Sequence, residues 1–154
     1  MKTNKGISLV SLSVYVIVAA IIVGILTFMN ANFFSKISDL TDETEIINEH
    51  LKFISVFLKD AKNSDKVSEY SATKLKLSDS VNYEIKIIED ESENKYAIYR
   101  NDVKICEGIT NSAEGAVPAF DYNYLNNIVT VSLTFKNGDY EWIENGTYKI
   151  GRGY

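Results

Sequence analysis

The chain contains one cysteine, one proline and one histidine among its 154 residues. The single thiol, Cys106, excludes an internal disulfide and a cysteine-rich zinc centre. One proline and eight glycines exclude collagen-like repeats and Pro/Gly-rich disorder. Acidic residues are missing from the front of the chain: none precedes Asp39, and all 21 fall between Asp39 and Glu144. Charge of either sign is missing from Gly6 to Phe34. Also absent are the spacings G-x-S-x-G, P-loop, H-E-x-x-H and EF-hand. With His50 and Cys106 expected on different elements, no convergent catalytic set emerges, so the chain is expected not to be an enzyme and to need no cofactor.

What is present divides into two unlike parts. Residues Ile7 to Met29 are 23 apolar or small uncharged residues. As a helix they reach about 34 Å, enough for a hydrocarbon core of about 30 Å. Buried charge there would cost several kcal/mol per residue, so an uncharged run is what a bilayer demands. Lys2 and Lys5 precede the run, while beyond residue 38 the chain has 13 basic against 21 acidic residues, a net of −8. The positive-inside rule places the first six residues in the cytoplasm and the C-terminal part outside. The alternative, a removed signal peptide, fits poorly. The run exceeds the usual apolar region of such peptides, and Met29-Asn30-Ala31 is a poor small-residue cleavage site.

The leader ends Lys5-Gly6 and continues Ile7-Ser8-Leu9-Val10-Ser11. This resembles the class III signal of type IV pilins and pseudopilins, written K-G-F-T-L-I-E. The resemblance implies cutting by a prepilin peptidase between Gly6 and Ile7, followed by N-methylation of Ile7. One position departs: the family's Glu, five residues after the cut, is Ser11 here. In the family that Glu pairs with a neighbouring subunit's N-terminal amine. Its absence implies a minor or tip subunit rather than a repeating one, since Ser cannot neutralise a buried amine. Tyr99-Arg100, Phe120-Asp121-Tyr122 and Val129-Thr130-Val131 are similar to patterns in J-type or W-type minor pseudopilins.

Beyond the span, Ile37, Leu40, Thr44, Ile47, Leu51, Ile54 and Leu58 step by three and four, a helical stripe. Ile37, Leu40, Ile47, Leu51, Ile54 and Leu58 are the expected packing face, widened by Ile46, Phe53 and Phe57. Asn63-Ser64-Asp65 predicts the stop. Gly24 and Asn30-Ala31-Asn32 are weak helix formers, and either local unwinding or a continuous helix fits them. After residue 65 the period changes to two, in Lys74–Ser78, Val81–Ile87, Tyr96–Arg100, Val103–Cys106 and Ile128–Lys136, with two short pieces within Glu141–Ile150. Asn101-Asp102, Asn137-Gly138 and Asn145-Gly146 predict tight turns. The expected fold is α+β, a long N-terminal helix on a C-terminal antiparallel sheet, in the order the resemblance implies. Its segments are a leader 1–6, a membrane half-helix 7–29, an amphipathic stalk 30–63 and an extracellular sheet domain 64–154.

The remaining candidates are few. Cys106 alternates with Ile105 and is expected to be buried. His50 is expected to be solvated on the stalk. Glu89, Asp90, Glu91 and Glu93 offer oxygens suited to calcium, which some pseudopilins bind, but lack a Gly-turn spacing. A solvated hairpin connection is the stronger reading. The −8 exterior and scattered lysines argue against direct nucleic-acid binding. The expected partners are the membrane, other pilin subunits, the prepilin peptidase and the pilus assembly machinery. The chain would be a single-pass cell-membrane protein that joins a surface filament. A single-span anchored binding or sensor domain outside any filament is the alternative.

Overall fold

A computed structural model describes residues 9–90 and 94–151. One helix, α1 (Leu9–Asn63), is followed by eight strands: β1 (Val67–Ser71), β2 (Lys74–Leu77), β3 (Val81–Asp90), β4 (Asn94–Arg100), β5 (Val103–Thr110), β6 (Ala119–Asn123), β7 (Ile128–Asn137) and β8 (Tyr140–Lys149). The chain forms two compact units, one ending at Thr41 and one beginning at Asp42.

The described part of the first unit, from Leu9 to Thr41, is helix. Its apolar side chains, from Leu9 to Met29, are all exposed within the chain, and the helix is long and apolar enough to cross a membrane. Some polar side chains of this unit bond back to the helix backbone. Ser13, Thr27 and Asn32 each donate to the carbonyl four residues earlier, on Leu9, Val23 and Phe28. Such bonds satisfy polar side chains where water is absent. The helix runs unbroken through Gly24 and Asn30–Asn32, so the continuous form holds.

The second unit is the expected α+β arrangement. The strands form one antiparallel sheet in the order β1-β2-β3-β4-β5-β7-β6, with β8 on the other side of β7. The sheet curls until its ends approach. Phe120 N–H donates to Ala72 O at 2.8 Å, and the Tyr70 and Tyr122 rings lie 5.5 Å apart. Asn101 and Asp102 both take positive φ in the β4–β5 turn, and Gly138 does so in the β7–β8 turn, as their sequences require.

The helix end from Asp42 to Asn63 covers one sheet face. Phe53 and Phe57 are fully buried and stacked at 5.3 Å, and both meet Tyr83 edge-on. Ile46, Ala61, Leu75, Ile98, Ile109, Val131 and Phe135 complete the core. Cys106 is buried among them, and burial pushes its thiol up to about 12.

Here the expected packing face needs correction. Ile37, Leu40, Ile47, Leu51 and Leu58 are exposed, and of the six only Ile54 packs against the core. The face on the sheet is Ile46, Phe53, Phe57 and Ala61. Both sets have helical spacing, and the sheet takes the one bearing the two phenylalanines, which bury the larger area.

Candidate functional site

Several polar contacts fasten the helix to the sheet, and two of them are clusters of side chains. Asp60 is buried on α1, where Arg100 of β4 holds it in a fork, Nε to Oδ2 at 2.6 Å and Nη2 to Oδ1 at 3.0 Å. The Tyr83 hydroxyl donates to the same Oδ2 at 2.5 Å. Burial works to raise the Asp60 carboxyl, but Arg100 and Tyr83 outweigh it and hold the group below the usual carboxylate range. Burial together with the Asp60 carboxylate drives the Tyr83 hydroxyl well above its ordinary value.

The second contact sits toward β8. His50 Nε2 lies 2.7 Å from Glu144 Oε2, and the Tyr148 hydroxyl donates to Glu144 Oε1 at 2.7 Å. The His50 ring also meets Trp142 at 5.3 Å and Phe135 at 5.8 Å. His50 is therefore half-buried and partnered, not solvated, because its helix position points at β7 and β8. The Asn145-Gly146 pair likewise departs from expectation. It lies inside β8, opposite Ser132 and Val131, instead of making a turn. A Cβ at Gly146 would push on Glu144 Oε1 and the Tyr148 hydroxyl, which bond across it, so those two side-chain ends would have to part. Gly146→Ala should destabilise this unit by about 2 kcal/mol. Urea titration followed by Trp142 fluorescence checks this, and no change in midpoint would contradict it.

The helix and β8 run side by side in the same direction. Asn137 donates to Glu45 at 2.9 Å near one end, His50 meets Glu144, and Phe57 meets Tyr148 at 5.2 Å. At the far end Gly151 N–H donates to Ala61 O at 3.0 Å. On the other flank Glu49 accepts from Glu107 N–H of β5 at 2.9 Å and pairs with Lys52. Successive residues turn by about 100° around a helix. With Glu49 on the β5 flank and His50 over β8, Ile47, Leu51 and Leu58 fall on the outer side beyond β8. All three are exposed, as is Trp142 at 44%, whose ring meets His50 of the same helix.

A cleft of about 470 Å³ opens where β5 and β7 part beyond their Ile109–Phe135 pairing. Glu45, Glu49, Glu107, Lys95 and Lys136 line it over Ile46 and Phe135. Glu49 and Glu107 already pair with Lys52 and Lys104 outside the cleft, and the mixed charges of the lining select no one ligand class.

Compared with family models, curated proteins and solved structures, the chain matches none. Gly6 and Ile7, the expected cleavage site, lie outside the described residues, as do Glu91 and Glu93. Glu89 and Asp90 are on β3, paired with Lys95 and Asn94. Among the described residues, no group of three or more His, Cys, Asp or Glu side chains is placed to hold a metal. Ser11 is on the exposed helix of the first unit. Sequence reasoning missed Asp60 and its partners. The available signal was an acid set within the Phe53, Phe57, Ala61 arc, where a solvated charge would be out of place.

Proposed function

We propose that this chain is a minor subunit of a type IV pilus-like filament, close to the J-type or W-type pseudopilins. The observation that carries this reading is the chain order. A Lys5-Gly6 leader precedes an uncharged span, the span continues into α1, and the end of α1 packs on an antiparallel sheet. In this reading prepilin peptidase cuts after Gly6, and Ile7 becomes the methylated N-terminus. The leader faces the cytoplasm and the sheet unit faces outward, in keeping with the acidic exterior.

The mechanism is assembly. The exposed apolar side chains from Leu9 to Met29 need a non-aqueous surround. Lipid supplies it while the subunit waits in the bilayer. After extraction, the helices of neighbouring subunits and the assembly machinery supply it instead. Ser11 in place of Glu leaves the subunit unable to neutralise a neighbour's N-terminal amine, which favours the filament tip, where the usual pairing is not required. Immunogold labelling of sheared filaments should place the protein at filament ends, and Ser11→Glu should spread it along the shaft. Even labelling of the wild-type shaft would contradict the tip position.

A further inference from the structure

We propose that β8 is a self-recognition edge, which joins a second copy of this chain through antiparallel β8–β8 pairing. The strand pairs β7 along its whole length, and no strand covers its other edge among the described residues. A ten-residue uncovered edge is a template for adding another strand. The sequence of β8 determines which strand fits.

Centre an antiparallel pair on Asn145, so that each Asn145 faces its own copy. Glu141 then lies opposite Lys149 of the second copy, Trp142 opposite Tyr148, and Ile143 opposite Thr147. Each match occurs twice, by the two-fold axis. Opposite charges, aromatic pairs and a β-branched pair are the combinations that stabilise neighbouring strands. Moving the centre by one residue either way loses the Glu141–Lys149 match. This is the self-complementarity an isologous dimer requires.

A second observation lies on the same flank. The two-fold axis stands normal to the sheet, so both helices lie on one face of the joined sheet and run antiparallel. Ile47, Leu51 and Leu58, together with the exposed part of Trp142, turn toward the axis from each copy. The dimer thus covers these exposed apolar side chains, and closes the strand edge in the same step. Because α1 runs parallel to β8, the Asp42 ends of the two copies point opposite ways. The contact is one between two sheet-bearing units alone. It stands whether or not the chain enters a filament.

Cysteine cross-linking of the full chain in detergent micelles tests the pairing. Cys106 is buried and its thiol is held protonated, so a single introduced thiol reports alone. Opposed residues in an antiparallel pair have Cα atoms about 5 Å apart, within disulfide reach. Asn145→Cys should give a covalent dimer under mild oxidation. Thr147→Cys should give at least about tenfold less, since its two copies would sit roughly 13 Å apart. Glu141→Lys and Lys149→Glu should each cut the Asn145→Cys yield about tenfold, and the two together should restore it. Equal cross-linking at 145 and 147, no cross-linking at 145, or failure of the double reversal to restore it would each overturn the proposal.

Discussion

Asp60→Asn lowers the stability of the sheet-bearing unit by about 3 kcal/mol. The change leaves the Arg100 guanidinium and the Tyr83 hydroxyl facing a neutral amide in a buried site. The figure sits at the lower end of what breaking a buried pair costs, because a third of the Arg100 side chain still reaches water. The same contact sets the response to acid. The folded Asp60 carboxyl titrates below its unfolded value of about 3.9, so its stabilisation is fully present above that pH. It is lost as pH falls through the lowered folded value. Urea midpoints of the full chain in micelles, read by Trp142 fluorescence from pH 7 down to about pH 2, measure both effects. Wild type should lose stability steeply below about pH 4, and Asp60→Asn should lose less over the same interval. Parallel curves would contradict the assignment.

Phe57→Ala is expected to cost about 4 kcal/mol, whereas Leu51→Ala costs under about 0.5 kcal/mol. Phe57 is fully buried against Phe53, Tyr83 and Tyr148, so its removal leaves a cavity ringed by aromatic side chains that cannot collapse. Leu51 is 53% exposed and loses little. Both belong to helical stripes, and only their burial separates them. Equal losses at the two positions, by the same urea titration, would return the packing face to the stripe first expected from the sequence.

That pair of residues also marks how far the sequence could be read. The membrane-length run, the helix stop at Asn63 and the strands β2, β3, β4, β5 and β7 were legible, because periodicity and composition both pointed one way. Asn101-Asp102 and Asn137-Gly138 were legible as turns because positive φ is chemically expensive elsewhere. The stalk face was centred on the wrong stripe: Ile46, Phe53 and Phe57, read as its widening, are the part that faces the sheet, and spacing alone cannot place the centre of a broad apolar arc. Asn145-Gly146 was misread because glycine serves both turns and close approaches, and the Glu144–Tyr148 bond that lies across it is a tertiary contact. His50 and Asp60 escaped because their partners lie 94 and 40 residues away. β1 carries almost no pattern of its own, since four of its five residues are exposed.

The functional account rests on the leader and the span behaving as a processed filament anchor. The most direct test is the mass of the mature N-terminal peptide, isolated from cells that make prepilin peptidase. The account predicts a chain beginning at Ile7 and carrying one N-methyl group. A chain that still begins at Met1, or one cut after the apolar run, would contradict it.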